Sequence, residues 1–137
     1  MPSVNLLAVL LSAIVGMVIG AVWFHPDVFG STWMRLTGLN KKQLERAHKD
    51  GMGKSYLLCF ISLLIMSYVL ALFMKYLGVS FWMEGLFVAF LAWLGFVAVT
   101  HVNDVLWEGR PFELYALNTL HYLASLLIMG AVLGAWA

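Results

Sequence analysis

Charge is scarce in this chain and unevenly placed. Its 137 residues hold 8 lysines and arginines and 7 aspartates and glutamates, 11% together, against 63% hydrophobic residues. A soluble domain carries about a quarter of its residues charged, and one of this size would have no way to cover so much apolar surface. The net charge of +1 excludes a general electrostatic attraction to nucleic acid. Cys59 is the single cysteine, so an intrachain disulfide and a cysteine-based zinc site are both excluded. Lying in an apolar run, its thiol reads as a small buried hydrophobe. No lysine or arginine precedes Arg35, so the first apolar run lacks the basic start of a secretory signal, and Val22-Trp23-Phe24 is no small-residue cleavage site. Nor is there a phosphate-binding loop: Gly51-Met52-Gly53-Lys54-Ser55 ends in Gly-Lys-Ser without the preceding spaced glycine or a strand. Helical serines without a strand-to-helix elbow give no support to nucleophilic catalysis. No enzyme activity, cofactor or resident metal is expected.

What the chain has is apolar length. Four runs, Ser3–Phe24, Ser55–Leu77, Phe81–Val102 and Leu114–Trp136, are each close to the ~20 residues a helix needs to cross the hydrocarbon core. They predict one integral membrane domain over residues 1–137: an all-α, four-helix transmembrane bundle whose immediate partners are membrane lipids. Arg35, Lys41, Lys42, Arg46, Lys49 and Lys54 fall between the first and second runs, and Arg110 between the third and fourth. The other side has only Lys75. By the positive-inside rule the two polar loops face the cytoplasm and both termini face away.

Local chemistry refines the loops. Pro26 cannot continue the first helix without losing a hydrogen bond. The aromatics around it (Trp23, Phe24, Phe29 and Trp33, with Trp107 at the other exit) are of the type that anchors at headgroup level. Asp27–Leu36 is expected to lie at the interface. A short polar helix starting at Asn40, with Gln43 as its capping-box partner, is expected to run through Lys49. Gly78 suits a helix C-terminus and Ser80 a helix N-cap, giving a tight hairpin.

Two small-residue columns stand out. Ala8, Ser12, Gly16 and Gly20 repeat every four residues on the first helix, and Gly130 and Gly134 do so on the last. In a membrane such columns let another helix approach closely, either inside one bundle or between copies. Two columns exceed the need of one bundle at ordinary helix spacing, which points to a homo-oligomer. Ser55, Cys59, Ser62 and Met66 form a further small face on the second helix.

The residues that carry chemistry gather near the third loop. Thr100, His101 and Asp104 end the third helix, and Asn118, His121 and Ser125 follow at i, i+3, i+7 on the fourth. At ~1.5 Å per residue both histidines fall in the loop-side half of the bundle. Ionisable groups at membrane depth cost free energy unless they pair or line a wet cavity. Three readings stand. The cluster fixes helix register through interhelical hydrogen bonds; or it lines a vestibule for a proton, ion or small polar solute; or His101, His121 and Asp104 or His25 ligate a transition metal, against which no HxxxH spacing exists.

Taken together, Asn5-x-x-Ala8-Val9, Gly20-x-x-Trp23-Phe24-x-Pro26-x-x-Phe29-Gly30-x-x-Trp33-Met34, Trp93-x-Gly95-Phe96, and Asn118-x-x-x-Tyr122 near Met129-Gly130-Ala131 resemble the domain of unknown function 1761 family of small bacterial membrane proteins. The resemblance covers essentially the whole chain, and it implies a four-helix protein of the bacterial inner membrane. It brings no substrate, cofactor or catalytic residue. The leading expectation is a small oligomeric pore or transporter-like protein. Its rivals are a structural or assembly protein that binds partner helices through the small columns and, last, an embedded metal-dependent enzyme.

Overall fold

A computed structural model describes residues 3–38, 42 and 52–136. The fold is all-α, with no strand among the described residues. Its helices are α1 (Leu6–Trp23), α2 (Ser31–Thr37), α3 (Met52–Leu77), α4 (Trp82–Leu106) and α5 (Phe112–Ala135). All but α2 are long and apolar enough to cross a membrane, so the chain is a multi-pass membrane protein. The segment after α1, expected at the interface over Asp27–Leu36, forms a turn followed by α2. The polar helix expected from Asn40 to Lys49 lies outside the described residues. Three helices overrun their apolar runs on the loop side: α3 begins before Ser55, α4 continues past Val102 to Leu106 and α5 begins before Leu114, whereas α1 lies within Ser3–Phe24. Hydropathy marks the hydrocarbon layer, whereas a helix continues until its backbone finds a better partner.

The ends show what those partners are. The Asn5 side chain accepts from the backbone N–H groups of Leu7 and Ala8, at 3.0 and 3.2 Å, and caps α1. Beyond Trp23 the chain makes a π-helical turn, Pro26–Gly30, in which the His25 carbonyl accepts from Val28 and Gly30. Gly30 lies so close to the Phe24 carbonyl that any side chain would collide with it. The spacing from Trp23 through Pro26 to Gly30 is therefore a folding constraint. At the end of α3, Gly78 takes φ of 72° while Val79 N–H reaches the Met74 carbonyl at 2.9 Å. This is a Schellman cap, and the buried Val79 and Met74 share its hydrophobic contact. Ser80 is not the cap of α4. Phe81 holds that position, and Glu84 reaches back to accept the Ser80 backbone N–H at 3.0 Å.

Helices α1 and α5 form the centre, with α3 against α1 and α4 against α5; α3 and α4 meet little beyond their hairpin. The buried core of Ala8, Val9, Leu70, Ala71, Met74, Ala89, Leu126, Met129 and Leu133 fills the half nearest the termini. Both glycine columns are used within this subunit. A Cβ at Gly130 would lie 2.6 Å from the Gly85 carbonyl oxygen, and one at Gly134 would lie 2.8 Å from that of Phe81. α4 and α5 thus cross backbone to backbone. On α1, Ala8, Ser12 and Gly16 are buried and Gly20 is half-buried. Gly16 receives Leu63 of α3, and Gly20 faces His121 of α5. Neither of these two columns is left over for another copy, contrary to the premise that pointed to an oligomer.

Helix α3 differs from expectation. Ser55, Cys59 and Ser62 are exposed, Cys59 included. The packing face is instead Leu63, Ser67, Leu70, Ala71 and Met74, where larger side chains fill the space beside the small column of α1. The Ser67 hydroxyl donates to the Val9 carbonyl at 2.9 Å, an interhelical bond worth about 0.6–2 kcal/mol in a bilayer. From Gly53 to Cys59 every residue is exposed. The loop-side end of α3 is therefore little covered by the other helices.

Candidate functional site

Chemistry-bearing residues collect at the loop-side ends of α4 and α5, and a local distortion of α4 puts them there. Between Leu94 and Ala98 the helix widens into one π-helical turn. An extra residue in a turn rotates everything beyond it by about 100° and weakens the local backbone ladder. Two bonds to α5 stabilise this turn. The Tyr115 hydroxyl donates to the Ala98 carbonyl at 2.6 Å, and the Trp93 indole N–H donates to the Thr119 carbonyl at 2.7 Å. The Thr119 hydroxyl in turn donates to the Tyr115 carbonyl at 2.7 Å. Gly95, inside the distortion, has open space where a side chain would stand.

Below the π-turn, His101 and Asp104 face α5. Their side chains, Nδ1 to Oδ2, are 3.5 Å apart and a little under half exposed. With Arg110, Leu114, Tyr115, Asn118 and Thr119 they line a shallow, mostly polar pocket. Arg110 also pairs with Glu108 at 3.1 Å. At the rim, Arg35 of α2 stands 4.0 Å from Glu113 of α5, both well exposed. Such a pair is screened by water and is worth little. Thr100 does not belong to the pocket: it is exposed, and its carbonyl accepts from the Asn103 side chain at 3.3 Å.

His121 sits elsewhere. It faces α1, with its Nε2 3.5 Å from where a Cβ on Gly20 would be. Around it stand Phe24 (ring centroids 4.9 Å apart, edge-on), Tyr122 (5.2 Å) and Trp23 (6.0 Å). Tyr122 separates the two histidines, stacking on His101 at 6.1 Å. The single cluster read from the sequence therefore divides in two. His101, Asp104 and Asn118 share the pocket on α4 and α5, while His121 and Ser125 face the seam between α1 and α5. Among the described residues no three His, Cys, Asp or Glu side chains come together as a metal site.

The expected anchors also divide. Trp107 is 83% exposed. Trp23, Phe24 and Trp33 are half-buried and pack on one another's neighbours: Trp23 on Phe29 at 4.7 Å, Phe24 on Trp33 at 5.9 Å. Pro26 and Phe29 are exposed on the turn. This aromatic group packs around His121 at the loop end of the bundle.

Sequence reasoning missed Arg110, Tyr115, Thr119 and Trp93. A signal for the last three existed. Tyr115 and Thr119 stand at i, i+4 on α5, and Trp93-x-Gly95-Phe96 places an indole and a glycine where α4 distorts.

The model of the family described as "Protein of unknown function (DUF1761)" matches residues 7–134, and the chain belongs to that family. No curated protein and no solved structure matches it.

Proposed function

We propose that this DUF1761 member is a transporter-like protein of the bacterial inner membrane, with its loop side in the cytoplasm. The pocket formed by His101, Asp104, Asn118 and Arg110 receives a proton, ion or small polar solute. One observation carries the reading. Tyr115 to Ala98 and Trp93 to Thr119 already tie α4 to α5, and Ser67 to Val9 ties α3 to α1, which leaves His101, Asp104, Asn118 and Arg110 surplus to that packing. A scaffold has no use for a half-exposed histidine–aspartate pair beside an arginine at the membrane boundary, whereas a vestibule does. The assembly reading keeps one supporting feature, the exposed Ser55, Cys59 and Ser62 on α3.

Reconstitution in liposomes tests this. Proton or solute flux that depends on pH is expected in the parent, reduced at least several-fold by His101→Gln and by Asn118→Leu, while Ser62→Ala leaves it unchanged. Absence of flux under every gradient would remove the transport reading in favour of assembly. The pore form of the proposal needs several copies, so flux that persists at one copy per vesicle would restrict the mechanism to a single subunit.

A further inference from the structure

Four buried side-chain atoms have no hydrogen-bond partner among the described residues: Ser12 Oγ, Trp23 Nε1, His121 Nε2 and Ser125 Oγ. All four belong to α1 and α5. Ser12 is 0% and Ser125 2% exposed. Four other helical hydroxyls show what such a group can do. Thr37 donates to Trp33, Ser62 to Leu58 and Thr119 to Tyr115, each to a carbonyl one turn back, and Ser67 crosses to α1. Ser12 and Ser125 do neither. Alanine would serve equally well in a close-packed small column, so packing alone does not call for these hydroxyls.

Their positions form a sequence. His121 and Ser125 lie one turn apart on the same face of α5. Gly20 meets His121, and at the far end Ala8 and Leu133 line one hollow. Those two meeting points set an antiparallel register, which carries Gly16 to the level of Ser125 and Ser12 to that of Met129. From Trp23 at the mouth to Ser12, the polar atoms recur at successive levels over 11 residues of α1, roughly 16 Å of helix. On the α1 side the intervening small positions are glycines. One side chain stands over the middle of this line: Leu63 of α3, whose Cδ2 would lie 2.9 Å from a Cβ on Gly16. It belongs to the helix whose loop-side end, Gly53–Cys59, is exposed.

We propose that the seam between α1 and α5 is a hydration site. When Leu63 withdraws, a single file of water molecules enters from the loop side. Trp23 Nε1–H, His121 Nε2, Ser125 Oγ and Ser12 Oγ bind it in turn. Water is the occupant these groups select. They supply one indole donor, one imidazole nitrogen and two hydroxyls, each of which pairs with a molecule that both donates and accepts. A hard cation needs six or more oxygens converging on one point, and no carboxylate or ring of carbonyls stands here. Ser12 and Trp23 thereby acquire a role beyond helix packing and interfacial anchoring. The bearing on function rests on the transport reading above, since a water file is the natural continuation of a polar vestibule. The test reads hydration and not flux.

Water-to-protein magnetisation transfer, measured by proton-detected NMR on the full chain in lipid bilayers, reads that hydration directly. Transfer is expected at the His121 imidazole and the Gly16 amide, as at exposed His25, and not at Leu70 in the core. The double variant Ser12→Ala/Ser125→Ala should lose transfer at Gly16 while keeping it at His101, and Leu63→Ala should increase it at Gly16. His121 and Gly16 as dry as Leu70 in both the parent and Leu63→Ala would overturn the proposal. So would a double variant that melts higher than the parent with water transfer unchanged, because that is the result of deleting two polar groups from a dry seam. A hydrated seam in a protein without flux would uphold the site and remove the transport reading. A dry seam in a protein with pH-dependent flux would do the reverse.

Discussion

Gly85 and Gly130 show how much a single hydrogen atom in place of a side chain decides in a bilayer. Lipid tails are as apolar as leucine, so helices associate through close packing and weak C–H···O contacts and not by escaping water. At this crossing the carbonyl of Gly85 occupies the space a Gly130 side chain would need, and a backbone cannot swing aside as a side chain does. Gly130→Ala is therefore expected to cost about 1–3 kcal/mol through overpacking, and Gly130→Leu to prevent stable folding. Gly95→Ala has nothing within 4 Å and should be neutral. Gly16→Ala displaces only the end of Leu63 and should fall between. Thermal unfolding in mild detergent, followed by size-exclusion profile, ranks the three; equal losses for Gly95→Ala and Gly130→Ala would contradict the crossing. The sequence showed the small column on α5 but not its partner, because a helix with small residues in one stripe carries no mark of which neighbour uses them. The unpaired hydroxyls of Ser12 and Ser125 were equally hidden. Whether a serine bonds back to its own helix depends on a rotamer that no spacing records.

At the scale of the element, α4 repays attention to its π-helical turn. Its apolar length predicted a spanning helix, and the residues beyond it predicted a polar end. The extra residue was not legible, because an apolar run has no amphipathic period whose phase could be seen to slip. That slip nevertheless turns His101 and Asp104 toward α5 and leaves Thr100 outside. Tyr115 and Trp93 are the residues that stabilise it, each through a bond to a carbonyl on the neighbouring helix. Tyr115→Phe keeps the ring and removes the hydroxyl, so it should cost about 0.5–1.5 kcal/mol. It should also disturb the His101 ring signals in a histidine NMR spectrum while leaving those of His121 unmoved. Trp93→Phe should do the same by the other bond. Loss of stability without any change at His101 would mean that the two bonds brace the helices but do not orient the pocket.

For the whole molecule, the number of spans, and with it which connections share an end of the bundle, followed from four apolar runs. The helix arrangement did not. Nothing in the runs distinguished α1 and α5 as the centre, or foretold that α3 would use Leu63, Ser67 and Leu70 and leave its small face exposed. The structure supplies the physical setting for the topology. Among the described residues, Arg35 on α2, Lys54 at the start of α3 and Arg110 in the turn before α5 stand at one end of the bundle, and Lys75 alone at the other. Asp27, Asp104, Glu108 and Glu113 share the basic end, but acidic residues contribute little to orientation, which follows lysine and arginine near the spans. The basic end is therefore expected in the cytoplasm. Because Cys59 is exposed, Cys59→Ser first removes the background thiol. A cysteine then placed at Lys42 or Arg110 should react with an impermeant maleimide only after cells are permeabilised, and one at Ser80 should react in intact cells. Labelling of the Lys42 position from outside would invert the protein in the membrane. The pocket at His101 would then open to the exterior, and any flux through it would have to be tested with the opposite gradient.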